Sequence, residues 1–405
     1  MSEDARTERS EAQVWITSEV ELPQAVIDAH TAARLVFFVG AGASMGPPAS
    51  LPSFKKLARD LASIARVRFN DPGNLDRFLG SMPANFDVHT HARNLIAREG
   101  SMPNSTHTAV VRVAASIGPL RIVTTNFDDH ISSAASSAGI EVHEKWVGPA
   151  LPLGDEFTGV VHLHGSVLRD DPRELVLTDT DFGRAYMTRA WATRFLLEMF
   201  QKYTVVFVGY SHDDPIMRYL ALGLPSGTPR YAFTSADKAN DPDWTRLGVE
   251  TIGYPVQADD HGALVAALEA WDVRARMGQT DHQARMKEII DAGSTLTPVD
   301  RDYLTDRLKT VDGAREFAKA TAGGDPSRQV EWLRWPRTSL SSRRSLPARM
   351  ERMRPRSWAT GSARPSSRPP NSRGGAADDA APGPDALRWP LPRCELGRSP
   401  TEREG

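Results

Sequence analysis

Cysteine is nearly absent from this chain: its 405 residues contain a single one, Cys394. One thiol closes no intrachain disulfide and cannot supply the four thiolates of a cysteine-ligated zinc ribbon, so no zinc of that kind is expected. Long apolar runs are missing too. None approaches the roughly 20 residues of a membrane-spanning helix, and residues 1–13 are polar and charged, with no apolar stretch of the secretory kind. These absences set the expectation of a cytoplasmic protein without a membrane partner. Net charge is small at −2, so whole-chain electrostatics give no reason to expect nucleic-acid binding. The apolar content of 40% suffices for the core of one large α/β domain and a second element.

Four short segments carry the chemistry. Leu35-Val36-Phe37-Phe38-Val39 has the composition of a buried parallel strand and runs into Gly40-Ala41-Gly42-Ala43-Ser44. Glycines after such a strand let backbone N–H groups approach a pyrophosphate, although plain tight turns use them as well. Arg121-Ile122-Val123 leads into Thr124-Thr125-Asn126-Phe127-Asp128. Its Asn and Asp suit ligand contacts at a strand end and equally suit an Asx turn or helix cap. Gly159 to Leu163 ends in His164-Gly165-Ser166, and Thr204 to Val208 ends in Gly209-Tyr210-Ser211. The pairs His89/His91 and His162/His164 are spaced to share one face of a strand, but no Cys or carboxylate cluster completes a four-ligand metal site.

In this order the segments resemble the sirtuin family, over roughly residues 30–275: Gly40-Ala41-Gly42-Ala43-Ser44, then Asn126-Phe127-Asp128, His164-Gly165 and Gly209-Tyr210-Ser211. Leu51-Pro52-Ser53-Phe54 is similar to the Ile-Pro-Asp-Phe element of sirtuins, with Ser53 in place of the acid. The missing cysteines separate the chain from zinc-ribbon deacylases and make it similar to zinc-free sirtuin-like domains of bacterial defence proteins, which hydrolyse NAD. The resemblance implies that Gly40, Ala41, Gly42 and Ser44 cradle the pyrophosphate and that Asp128 contacts the nicotinamide carboxamide. It implies that Gly209 and Ser211 line the adenosine side, with Pro52, Phe54 and Thr125 completing the NAD site. Asn126 would position water or a ribose hydroxyl, and His164, with an ordinary pKa near 6.5, would accept a proton.

The expected fold is a doubly wound, Rossmann-like, mainly parallel sheet, because strand signals at 121–125, 159–163, 174–178, 204–208, 229–234 and 248–252 alternate with helical stretches. Helices are expected at 22–33, 54–65 and 183–202. Thr178 and Asp181 read as caps, and Asp213-Asp214-Pro215 as a helix start. The expected organisation is a flexible 1–20, a sirtuin-like NAD-binding domain at 21–280 with a helical insertion near 70–118, and a helical segment at 281–335 that begins a C-terminal helical domain. Residues 336–405 are rich in Arg, Pro and Ser, a composition that does not support a core, so a disordered tail is expected there, with no nucleic-acid binding expected beyond nonspecific contact through its basic charge. The switch in character after Trp335 suggests a shifted reading frame, which an intact frame on resequencing would refute.

The activity the resemblance implies is an NAD glycohydrolase of antiphage defence, with the C-terminal region serving self-association or an activating partner. A protein deacylase or ADP-ribosyltransferase, and a non-catalytic module sensing NAD or ADP-ribose, are the alternatives.

Overall fold

The computed structural model describes residues 13–70, 73–211, 229–258, 260–293 and 295–322, together with Trp332 and Trp335. Residues 1–12, Asp213, Asp214 and the 336–405 segment lie outside the described residues.

The elements in chain order are β1 (Gln13–Trp15), β2 (Glu21–Pro23), α1 (Gln24–Thr31), β3 (Leu35–Val39), α2 (Phe54–Ile64), α3 (Leu75–Gly80), α4 (Val88–Ile96), α5 (Ser105–Ala114), β4 (Arg121–Thr124), α6 (His130–Ser137), β5 (Lys145–Val147) and β6 (Gly159–His162). There follow α7 (Asp179–Gly183), α8 (Trp191–Lys202), β7 (Thr204–Val208), β8 (Arg230–Ser235), α9 (Pro242–Arg246), β9 (Glu250–Tyr254), α10 (Gly262–Arg276), α11 (Gln279–Ala292), α12 (Pro298–Arg307) and α13 (Val311–Ala322). Seven strands form one sheet in the order β5-β6-β4-β3-β7-β8-β9, and every neighbouring pair is parallel.

Strand β3 shows why its sequence has no polar position. Leu35, Phe37 and Val39 face one layer, which holds α1, α5, α6 and α10; Val36 and Phe38 face the other, which holds α7 and α8. A strand covered on both sides needs apolar residues at both phases of its period-two alternation. A third core lies outside the sheet, where Leu57, Leu61, Leu79 and Ile96 of α2, α3 and α4 close over Leu175 and Leu177. Helix α5 instead packs on the sheet with α6 and α10.

Several local expectations need correction. The apolar run 174–178 is buried but is not a strand. Val176 N–H donates to His164 O, Leu175 N–H to Pro172 O, and the N–H groups of Leu177 and Thr178 to the Asp181 carboxylate, so no ladder propagates. Leu22 and Pro23 belong to β2, and helix begins at Gln24. The expected helix 183–202 is interrupted: a π-helical turn covers Arg184–Thr188, and Ala190, at φ 50°, separates it from α8. The antiparallel β1–β2 hairpin and the three-residue β5 were not anticipated. The Thr178 cap does form, as a capping box with Asp181.

Beyond the sheet, α11, α12 and α13 bury Met286, Ile290, Leu304 and Phe317 with Trp332 in a core of their own. Asp302 of α12 ties this unit to the N-terminal hairpin, its Oδ2 accepting from Trp15 N–H at 3.1 Å.

Candidate active site

Sheet register decides which loops meet. Val39 pairs with Thr124 and with Val208, and Thr124 pairs with His162. These residues end strands β3, β4, β7 and β6, so Gly40, Thr125, Leu163 and Gly209 all leave the sheet at one level on its carboxyl edge. The order in which the chain adds strands reverses beside β3, with β4 to β6 on one side and β7 to β9 on the other, the place where open parallel sheets form their ligand crevice. Four motifs spread over about 170 residues of sequence are thereby gathered on one rim.

A cleft of about 670 Å³, part of it open to solvent, lies there. Ala41, Ser44, Pro52, Phe54, Thr125, Asn126, Asp128 and His164 line it among the expected residues, with Leu51, Leu57, Ile96, Phe127, Val176 and Phe182 as further apolar wall. Gly40, Gly42 and Gly209 sit behind this wall. A Cβ on Gly42 would come within 2.8 Å of Gly209 O, and one on Gly209, at φ +76°, within 2.4 Å of Ala43 N. The N–H groups of Gly40 and Gly42 donate to Val208 O and Gly209 O. These glycines therefore let the β3 and β7 loops touch, and the N–H groups of Gly40 and Gly42 are spent in doing so. Ser211, exposed, is the last described residue of the β7 loop.

The polar floor is a closed hydrogen-bond chain. Ser44 Oγ lies 3.0 Å from Asp128 Oδ2, 3.0 Å from His107 Nε2 and 3.2 Å from Asn126 Nδ2. Asn126 Nδ2 also donates to Gly40 O at 3.1 Å. A carbonyl only accepts, so this contact fixes the amide orientation and turns Oδ1 away from it. Asn126 Oδ1 is buried and has no hydrogen-bond partner among the described residues. Asp128 Oδ1 accepts from His130 N–H at 3.0 Å. His107, fully buried on α5, is held by its own cap: Asn104 N–H donates to Nδ1 at 3.1 Å. Burial lowers the His107 pKa to about 4, against the opposing pull of Asp128.

His164 occupies an aromatic box. Its Nε2 lies 2.8 Å from the Tyr186 hydroxyl, and its ring stands edge-on to Phe182 and Tyr186, which stack on each other. Burial lowers its pKa to about 3, well below the ordinary value expected from sequence, so the imidazole is neutral throughout the physiological range. The π-helical turn supplies Tyr186. Asp181 anchors the same wall: burial alone would raise its carboxyl, but hydrogen bonds from His89 and from the backbone and hydroxyl of Thr178 outweigh that and hold it well below the usual carboxylate range. The paired histidines do not share faces. His89 and His91 stand on helix α4, and His162 meets Asn126 O and Asp129 while His164 meets Tyr186. Among the described residues no three His, Cys, Asp or Glu side chains gather as metal ligands.

Sequence reading missed His107, Asn104 and Tyr186. The Asn-x-x-His spacing of Asn104 and His107 is a capping signal visible in retrospect, but nothing local announces that the histidine's far nitrogen reaches Ser44.

Residues 120–251 match the SIR2-like domain family. That span carries Asn126, Asp128, His164 and Gly209, and the β3 loop enters the cleft from outside it. A protein of Sinorhizobium fredii (strain NBRC 101917 / NGR234), described as uncharacterized protein y4cA, is 28% identical over 334 residues, 73% of this chain. The chain spans only 27% of the length of that relative. No helix among the described residues is long and apolar enough to cross a membrane.

Proposed function

We propose that the SIR2-like domain of this chain is an NAD glycohydrolase that cleaves NAD to nicotinamide and ADP-ribose. SIR2-like domains use NAD, and the observation that carries the choice of reaction is Asn126, a cleft-lining residue whose buried Oδ1 acceptor has no hydrogen-bond partner among the described residues. An unpaired buried acceptor is costly, and a ribose hydroxyl or a water molecule supplies the missing donor.

Breaking the bond between the ribose and nicotinamide leaves an oxocarbenium-like centre, and the bond's electron pair returns to the pyridine nitrogen. The leaving group departs neutral and needs no proton. Water then forms the new C–O bond and releases one proton. The site has to hold NAD, orient the nucleophile and receive that proton. Asn126 Oδ1 orients the water or the hydroxyl. His164 is a weak base by virtue of its burial, which suffices because water adding to a cation becomes strongly acidic. The Asp128 carboxylate, held by Ser44 and by His130 N–H, accepts from the carboxamide NH₂ of nicotinamide. Pro52, Phe54 and Thr125 pack along the dinucleotide.

Hydrolysis by water consumes NAD without a protein acceptor, the chemistry suited to NAD depletion in antiphage defence, with α11–α13 offered to a second copy or an activating partner. Light scattering that finds a monomer, unchanged on activation, would remove that last element. The activity itself is tested by incubating the protein with NAD, with and without an acylated lysine peptide, and identifying products by mass spectrometry. Nicotinamide and ADP-ribose in both arms are expected; an acyl-ADP-ribose formed only with peptide would identify a deacylase instead.

A further inference from the structure

Ser44 Oγ has no hydrogen-bonding capacity left. A hydroxyl donates once and accepts twice. Asp128 Oδ2 only accepts, so the Ser44 proton points to it. Asn126 Nδ2 fills one lone pair. The remaining neighbour is His107 Nε2 at 3.0 Å, and its role is settled at the other side of the ring: Asn104 N–H donates to Nδ1, which must be unprotonated, so the proton of the neutral imidazole sits on Nε2 and is donated to Ser44. The order Asn104 N–H to His107, His107 to Ser44, Ser44 to Asp128 runs one way, and each bond polarises the next.

We infer that His107 is a positioning residue of the cleft, which acts through Ser44 to fix the Asp128 carboxylate and the Asn126 amide in the orientations that receive NAD. It touches no substrate itself. Ser44, saturated by its three partners, then serves as the hub of the cleft floor and makes no direct contact with the pyrophosphate. This inference rests on the reading of the cleft as an NAD site.

Two substitutions separate positioning from plain helix capping. In His107→Asn the side-chain oxygen can still accept from Asn104 N–H, but nothing reaches Ser44; in His107→Gln the amide NH₂ reaches Ser44 in place of Nε2–H. Calorimetry with NAD, which does not depend on turnover, should show affinity weakened about tenfold in His107→Asn, the scale of one lost hydrogen bond to a polarised chain, and largely restored in His107→Gln. In a Ser44→Ala background the two variants should bind alike. Nitrogen NMR of the unmodified protein should show a neutral His107 protonated at Nε2, a result that stands whether or not a variant folds.

Equal affinity in the two variants, a better Asn than Gln variant, or an Nδ1-protonated ring would overturn the inference while leaving hydrolysis in place. The expected binding pattern without any nicotinamide release would leave the inference and end the hydrolysis reading. Failure of the unmodified protein to bind NAD would end both.

Discussion

Asn126 and His164 share the cleft and are prepared in opposite ways. The Asn126 amide is pinned by its nitrogen and left unpaired among the described residues at its buried oxygen, whereas the His164 ring stands against Phe182 and Tyr186 and is kept neutral by burial. A base whose pKa lies at about 3 stays unprotonated far below neutrality. The pH profile of kcat/KM is therefore expected to show no ionisation of an essential base between about pH 5.5 and 7.5; a limb centred near 6.5 that disappears in a His164 variant would show that the ring titrates as an exposed histidine does. Tyr186→Phe removes the hydroxyl at Nε2 while preserving the stacked ring, and should reduce turnover by roughly two- to tenfold, a neutral hydrogen bond's worth, with NAD affinity nearly unchanged. Equal turnover in that variant would show that packing alone orients His164. At this scale the sequence was partly legible. Asn126, Asp128 and His164 stand in recognisable strand-end motifs, and the structure brings them together. His107 was invisible because its meaning lies in a contact 63 residues away, which no local pattern encodes.

Among the elements, the loop crossing behind the cleft is the most constrained. Gly42 and Gly209 stand where any Cβ would overlap backbone rather than a movable side chain. Gly209→Ala is expected to cost several kcal/mol, because it combines a left-handed φ with a backbone clash, and to weaken NAD binding by splaying the β3 and β7 loops. Chemical denaturation and calorimetry measure the two effects, and a variant of undiminished stability would show that the loops can separate freely. From sequence, Gly42 is expected in a pyrophosphate cradle and Gly209 on the adenosine side; a Gly-Ala-Gly string does not say whether the absent side chain makes room for a ligand or for another loop, and here it makes room for a loop. The mistaken strand at 174–178 has a similar origin. Apolar runs report burial, and Leu175, Val176 and Leu177 are buried; whether a ladder forms depends on neighbours, and here Asp181 takes the N–H groups a strand would have used. The short β5, at the sheet edge with a sequence of Lys-Trp-Val, carried too little alternation to register.

At the level of the whole molecule, the sheet order and the α11–α13 unit have separate cores, linked at the N-terminal hairpin by Asp302 and Trp15. Trp332→Ala should destabilise the helical unit by roughly 3–5 kcal/mol, the usual cost of emptying a buried aromatic site. Hydrogen exchange is expected to speed up in α11–α13 and to leave β3, β4 and β7 protected; uniform loss across the sheet would mean that the two cores unfold as one. Acid sensitivity is also a molecular property here. The folded-state pKa values of His107 and His164, about 4 and about 3, lie below the 6.5 of an unfolded histidine, so the unfolded chain takes up protons first as the pH drops. Stability should be complete above about pH 6.5 and decline steadily below it, towards those lower values. Asp181, whose folded pKa is depressed, adds a further loss at still lower pH as its carboxylate is protonated. A melting temperature that holds level from about pH 7 to 5 would show that neither histidine is buried in its neutral form.

Cleavage in this cleft depends on Asn126 if the proposed function holds, and the direct measurement pairs NAD binding with nicotinamide release in the unmodified protein and in Asn126→Ala. Loss of the unpaired Oδ1 acceptor should cut release at least about a hundredfold, the scale of losing a group that positions the reacting atoms, while NAD still binds within about tenfold of the original affinity and the protein remains folded. Undiminished nicotinamide release from folded Asn126→Ala would contradict the assignment of this cleft as the site of cleavage.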